Sequence, residues 1–382
     1  MIRGLKIYYV ANARMPTEKA HGIQIAKMCE ALIEAGADLE LIVPRRATPD
    51  TTVQDFYGLR ISVPLRRMPV IDWYDKGRIG FGIASASFVA AYVLYLWWER
   101  FCGRTGLAYT IDIDQYSYIG VPFVGMPLVA EIHDAKPRSF AFAFLFRRAS
   151  AIVAINAAIR DELMQTFHIS GQKILVCPNG IDLAMFGGTE DMHVARRVLG
   201  LSADGGIALY VGRLYAWKGL AILADAAQPL GDVAHTYVVG GSADELGRLL
   251  GRTLPSHLVC VGGRRYQEIP LWLAAADVLL VLGTKENEYS YRHTSPMKLF
   301  EYMASGRPIV ASRTPANCAI ISEREAFFYE PDDAADLARV MRFVLLHPDE
   351  GRERARAARK KVGQFSWEKR AGDILAFVTS AI

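Results

Sequence analysis

TSPMKLFEYMASGRPIVAS, from Thr294 to Ser312, reads as a helix that runs directly into a buried strand. Ser295 suits a helix cap and Pro296 its first turn. The helix would pass through Lys298, Leu299, Phe300 and Glu301 and stop near Gly306, before the apolar run Pro308 to Ala311. Amides left unpaired at its start can hold an anion. Glu301, a turn or two further on, could accept hydrogen bonds from the hydroxyls of a sugar attached to that anion. A nucleotide diphosphate fits this combination. An ordinary capped helix produces the same S-P-x-K-x-x-E spacing.

Working outward, LYVGRLYAWKGL at Leu209 to Leu220 ends a buried strand at Gly212 and places Arg213 and Lys218 in the loop beyond it. Arg offers a planar fork to phosphate and Lys a mobile point charge. Two solvated surface cations would look the same in isolation; the neighbouring anion-suited helix tips the reading toward a diphosphate clamp.

The rest of the chain repeats the same alternation of strand and helix. Strands are expected at Leu5–Val10, Leu39–Val43, Leu107–Thr110, Leu128–Glu131, Ala151–Ile155 and Ile174–Cys177 in the first half. The second half adds Ile207–Val211, His235–Val239, Leu258–Val261, Val278–Leu282 and Pro308–Ala311. Strands alternating with helices imply parallel sheets, hence an α/β chain of two doubly wound Rossmann-like domains. The expected domains are 1–182 and 200–365, joined by the less patterned GGTEDMHVARRVLG, with 366–382 packing back on the first domain. Ligands of such sheets collect at strand carboxyl ends, so the cleft between the domains is the expected site.

Several motifs in a fixed order make the chain resemble the retaining glycosyltransferases of family 4. These are ARMPTEKAHGIQIAKMCEALIEAG at Ala13–Gly36, EIHDAKP at Glu131–Pro137, AIVAINAAIRDEL at Ala151–Leu163, CPNGIDLAMF at Cys177–Phe186, YVVGG at Tyr237–Gly241 and FSWEKRA at Phe365–Ala371. The resemblance implies the GT-B fold, with two domains facing across a cleft. It implies that Arg213 and Lys218 hold the donor diphosphate and that Glu301 binds the ribose. His133 would face the sugar, although a satisfied core histidine is the plain alternative. Gly22, at the end of the first loop, would let the backbone approach the sugar or its phosphate. The family signature carries a second Glu eight positions before Glu301, where this chain has His293. Relatives with the S-P-x-K-L-F-E-Y variant also lack that Glu. His293 thus reads as a subfamily feature bearing on the choice of sugar, with catalytic decay as the alternative.

The activity implied by the resemblance is transfer of a sugar, with its anomeric configuration kept, from a nucleotide-diphosphate sugar to a hydroxyl of a glycan or lipid-linked acceptor. The cationic clamp would stabilise the departing diphosphate, together with the amides near Ser295 and Pro296, so no metal or other cofactor is expected. A sugar-nucleotide epimerase of the same architecture, or a catalytically silent binding subunit, remains open.

Composition agrees. With 382 residues, 52% of them hydrophobic, the chain can fill two cores. The formal charge of +4 is evenly spread, with 20 basic and 18 acidic residues in 1–190 and 24 and 22 in the remainder. Neither half looks built for nucleic acid. Five scattered cysteines without a C-x-x-C pair suit reduced thiols and a cytoplasmic location. Leu5–Val10 is too short for a signal peptide core.

The uncharged run Ile79–Trp98 is long enough to span a bilayer, yet the strands at Leu5 and Leu107 must share one sheet. A buried crossover helix is the preferred expectation. Peripheral contact with an anionic membrane is the other, because Arg60–Arg78 holds five basic and two acidic residues beside Trp73 and Tyr74. Three further features are weaker. Asp112-Ile113-Asp114 could ligate a divalent metal or simply form a turn, Gly80-Phe81-Gly82 follows no strand, and Arg352–Lys361 reads as a solvated helix face.

Overall fold

The computed structural model describes residues 4–382 apart from 113, 115, 116 and 189. Ile113 of the D-x-D triplet and Thr189 of the connector therefore lie outside the described residues. Two compact units follow from the chain path: one runs up to Gly180 and includes Trp367–Ile382, the other spans Ile181–Ser366.

The first unit is built on strands β1 (Lys6–Val10), β2 (Asp38–Pro44), β3 (Leu65–Met68), β4 (Leu107–Ile111), β5 (Leu128–Ile132), β6 (Ala151–Ala154) and β7 (Ile174–Val176). They form one parallel sheet in the order β3-β2-β1-β4-β5-β6-β7. Because strand side chains alternate, Tyr8, Val10, Ala130 and Ile132 face one side, where Phe88, Tyr92, Phe142 and Phe146 cover them. Tyr9, Tyr109 and Glu131 fall on the alternate positions, and the helices Ala20–Glu34 and Trp367–Ala381 pack together in the same unit.

The second unit contains β8 (Gly206–Val211), β9 (Ala234–Val239), β10 (Leu258–Cys260), β11 (Val278–Val281), β12 (Ile309–Ser312) and β13 (Phe327–Tyr329). Their parallel order is β10-β9-β8-β11-β12-β13. Its core has two halves, as a doubly wound sheet requires. Ile207, Leu209 and Val211 join one cluster with Leu299, Phe300 and Met303; Ala208 and Tyr210 join the other with Leu220, Leu223 and Met341. The strand order reverses between β8 and β11, which opens a crevice at their carboxyl ends.

Several expectations change. β3 and β13 have no counterpart among the strands expected from the sequence. β3 is a short edge strand whose outward positions are Arg66 and Arg67, so it lacks apolar alternation. Arg66 pairs with Glu40 at 2.9 Å, while Arg60 pairs with Glu34 and Glu368, both at 2.9 Å. Two of the five basic residues in the stretch expected to face a membrane, Arg60 and Arg66, are thus held in internal ion pairs. Part of the connector is a helix: Asp191 caps Met192–Leu199, and buried Arg196 donates to the Ala275 carbonyl at 3.0 Å and to Asp277 at 2.6 Å. Pro348–Val362 is an amphipathic helix, with Ala355, Ala358 and Val362 buried and Arg352, Arg356 and Arg359 exposed.

The run Ile79–Trp98 lies in one 25-residue helix, Gly77–Phe101, that crosses from β3 to β4. Gly80, Ala84, Phe88, Tyr92 and Leu96 recur every four residues and are buried. The helix is not apolar for the sake of burial all round, because Leu94, Trp97, Trp98 and Phe101 on the remaining surface are exposed.

Candidate functional site

Strand β8 ends at Val211, and Gly212 turns the chain with φ +148°, a region that favours glycine. A Cβ there would come 2.8 Å from Lys298 Nζ, so this lysine comes close to the turn. Arg213 and Lys218 follow in the loop, and Lys218 Nζ donates to the Arg213 carbonyl at 3.2 Å. The ammonium lies 4.9 Å from the Tyr215 ring and 5.3 Å from the Trp217 ring. Gly219, at φ +74°, lets the next helix begin. Trp217 packs edge-on against Tyr289, joining this loop to the one after β11.

That second loop closes in a π-helical turn, Tyr289–His293, a form frequent at functional sites. Thr294 N–H donates to the Tyr289 carbonyl at 2.9 Å, which fixes the entry to the following helix. His293 and Ser295 are both buried. The helix itself runs Met297–Ser305 with extended Pro296 as its N-cap and no side-chain cap, so Ser295 is not the capping residue expected. Its first turn closes instead on the Pro296 carbonyl, which accepts from Leu299 N–H at 2.9 Å. Tyr302 OH accepts from Val211 N–H at 2.9 Å and ties the helix to the end of β8.

This tie brings Lys298 beside Lys218. Lys298 Nζ sits 3.9 Å from the Tyr210 ring centroid. Among the described residues neither lysine has a carboxylate within ion-pair distance. Burial, and then the proximity of Arg213, pulls Lys218 down to about 8. Burial, and then Lys218, pulls Lys298 well below the usual lysine range, against the pull of Glu301. Buried Glu301 accepts from Tyr266, and its burial pushes it up to about 7 despite Tyr266 and Lys298. Arg213, Lys218, Lys298 and Glu301 therefore converge, while His293, Ser295 and Pro296 form the path into the same helix. Sequence reasoning missed Lys298 and Tyr266 as site residues.

Gly22 and His133 belong to the first unit. Gly22 lies inside the helix Ala20–Glu34 rather than in the loop before it. A Cβ there would collide with the Tyr57 hydroxyl and the Thr17 side chain, so the chain's own packing explains this glycine. Tyr57 OH accepts from Thr17 N–H and donates to the Thr17 carbonyl, each at 2.7 Å, which holds the loop in place.

His133 follows β5 and is half-buried. Its Nε2 lies 2.7 Å from Glu131 Oε1. Glu131 is fully buried, which opposes ionisation, yet Arg370, His133 and Tyr109 hold it down to about 2. Arg370 Nη2 donates to Glu131 Oε1 at 2.8 Å, Gln24 Nε2 donates to the same oxygen at 2.9 Å, and Tyr109 OH donates to the other. With Glu131 ionised, the facing ring nitrogen carries the donated proton, and Nδ1 is the ring nitrogen left for another partner. Gln24, Glu131 and Arg370 have no role assigned by sequence reasoning, although all three stand inside the family-like motifs. Nearby, Asp112 pairs with Lys136 at 3.0 Å and Asp114 accepts from Ser117 N–H at 2.7 Å. The triplet's two acids thus serve an ion pair and a turn.

Comparison with known proteins adds family and fold. Residues 22–185 match the model described as Glycosyltransferase Family 4, and residues 205–347 that described as Glycosyl transferases group 1. A D-inositol 3-phosphate glycosyltransferase of Jonesia denitrificans is 25% identical over 246 residues, covering 60% of this chain and 56% of that protein. The chain thus spans little more than half the length of the curated relatives it matches. The sucrose-phosphate synthase of Thermosynechococcus elongatus superposes with a TM-score of 0.77 at 20% identity, covering 99% of this chain and all of that one. HepE of Anabaena in complex with UDP-glucose gives 0.74 at 19% identity, covering 98% and 100%. Each half matches a glycosyltransferase family model, and the fold is GT-B.

Proposed function

We propose that this chain, which carries a Family 4 and a group 1 glycosyltransferase domain on a GT-B fold, is a retaining, metal-independent glycosyltransferase using a nucleotide-diphosphate sugar. The observation that carries this reading is the convergence of Arg213, Lys218 and Lys298 beside the N-terminus of helix Met297–Ser305. Among the described residues two of these cations, Lys218 and Lys298, are desolvated with no carboxylate within ion-pair distance, and a bound diphosphate would supply the missing charge. The similar fold of HepE in complex with UDP-glucose supports the donor class.

In this mechanism the three cations and the first helical amides neutralise the charge that grows on the leaving diphosphate, where fixed charges lower a barrier most. Glu301 accepts from the ribose hydroxyls. His133, held by Glu131 through one nitrogen, presents the other to the sugar. His293 bears on which sugar is taken. The acceptor hydroxyl attacks from the face the leaving group departs, so no carboxylate nucleophile takes part. The acceptor class we favour is a glycan or glycolipid of cell-surface biosynthesis, made on the cytoplasmic side.

A thermal-shift screen of UDP- and GDP-sugars tests the donor site, since a bound donor raises stability by mass action. One nucleotide sugar should raise Tm and then support transfer in excess EDTA. No shift with any nucleotide sugar would remove the donor assignment. Loss of turnover in EDTA, restored by manganese or magnesium, would remove metal independence.

A further inference from the structure

The exposed side of helix Gly77–Phe101 does not end with the helix. Trp98 and Phe101, 60% and 85% exposed, stack with centroids 6.1 Å apart, one turn beyond Leu94 at 63%. Trp97 Nε1 donates to the Phe123 carbonyl at 3.2 Å. Phe123, 64% exposed, stacks on Phe144 at 5.6 Å, and the Arg148 guanidinium lies 5.7 Å from that Phe144 ring. Three segments, 94–101, 121–124 and 140–148, thus make one connected apolar surface.

Its charge has one sign. Arg100, Arg147 and Arg148 are exposed along it. The single acid in the three segments, Glu99, is buried and paired with Arg104 at 2.8 Å. Each segment leads into the amino end of a strand, β4, β5 or β6 respectively. His133 follows the carboxyl end of β5, so the surface lies at the opposite end of these strands from His133.

We propose that this surface docks on an anionic lipid bilayer, with the rings of Trp97, Trp98, Phe101 and Phe123 at headgroup depth and the arginines on lipid phosphates. Tryptophan favours that depth because one end of the indole is apolar and the other polar. Arginines near an anionic surface add attraction that salt screens. The helix lies on the membrane and does not cross it, because Phe88, Tyr92 and Leu96 hold its inner face in the sheet's core. A second copy of the chain is a poorer occupant. A two-fold contact would set this all-arginine surface against itself.

The test uses the full chain and sedimentation with vesicles of phosphatidylcholine alone or mixed with phosphatidylglycerol. Wild type should bind the anionic vesicles at low salt, release at high salt, and bind neutral ones at least about tenfold more weakly. The double substitution Trp98→Ser with Phe101→Ser removes two exposed rings, so Tm should hold while anionic-vesicle affinity falls by at least about tenfold. Brominated lipid should quench wild-type tryptophan fluorescence. The proposal is overturned if wild type stays in the supernatant with anionic vesicles at low salt, or if the double variant binds as tightly. It is equally overturned if those substitutions abolish a solution dimer while wild type has no vesicle affinity.

Discussion

Buried charge is handled in opposite ways by the two units. In the first, Glu131 is enclosed with Arg370 at 2.8 Å, Gln24, Tyr109 and His133 around it, so every charge has its partner before any ligand arrives. In the second, Lys218 and Lys298 are desolvated side by side, with only the weak counter-pull of a half-titrated Glu301. The first arrangement fixes the orientation of an imidazole. The second stores a demand for an anion. Under the function proposed above, a site that grips and releases a diphosphate gains from incomplete charge, whereas a group that aims at a sugar gains from a rigid, satisfied setting.

The sharpest way to break this contrast is Arg370→Met. It leaves Glu131 buried without its counter-ion, and one-sided removal of a buried ion pair typically destabilises by about 3 to 5 kcal/mol. Denaturant unfolding should show a loss of that order, and the contrast fails if stability is unchanged. The acid limb sharpens it. Glu131 is held at about 2 against an ordinary value of 4.5, so its stabilisation is complete above about 4.5 and fades as pH falls toward about 2. Arg370→Met should remove that fading, because the carboxylate loses the partner that depresses it.

How much of this was legible in the sequence depends on the distance over which each contact acts. The alternating elements, and the strands from Leu5 to Ala311, were readable because their apolar runs are local. β3 was hidden by Arg66 and Arg67, of which Arg66 pairs laterally with Glu40 and Arg67 reaches the Met15 carbonyl. The Glu131–Arg370 pair joins residues 239 apart, and no local pattern carries it. Lys298 stood in the most informative stretch, yet its role depends on Tyr302 binding the Val211 amide, 91 residues away. Ser295 looked like a cap because serine usually is one, but the extended Pro296 displaced the helix start by one residue. Gly22 looked like a loop glycine, whereas the helix begins two residues earlier at Ala20.

Next in size comes Lys298→Met, with Lys218→Met beside it. If both lysines await an anion, each substitution should lower kcat/KM for the donor by roughly tenfold to a hundredfold, from about 1.5 to 3 kcal/mol per charge-assisted bond. Lys298→Met should also raise the Tm of the unliganded protein, because it removes a desolvated cation beside another cation. That pairing of lower activity with higher stability is the reverse of the result expected for Arg370→Met in the first unit. A Lys298→Met protein with wild-type kinetics would return this lysine to a packing role against Tyr210.

The smallest effect is the pH dependence of donor binding. In the unliganded site Lys218 is pulled down to about 8 by burial and then by Arg213, whereas a bound diphosphate favours its charged form and raises it again. Below about 8 Lys218 is protonated both free and bound, so its own contribution to affinity should be flat. Above that value the free site must take up a proton to bind, and affinity should fall with pH by at most about tenfold per unit. Isothermal titration of the nucleoside diphosphate in buffers of different ionisation enthalpy reads this directly, as proton uptake that appears above about pH 8. Lys218→Arg, whose guanidinium stays charged throughout, should flatten the dependence while keeping measurable affinity. A profile that is flat in wild type as well would mean that Lys218 stays charged without its anion, and the difference between the two units would then be one of packing and not of stored charge.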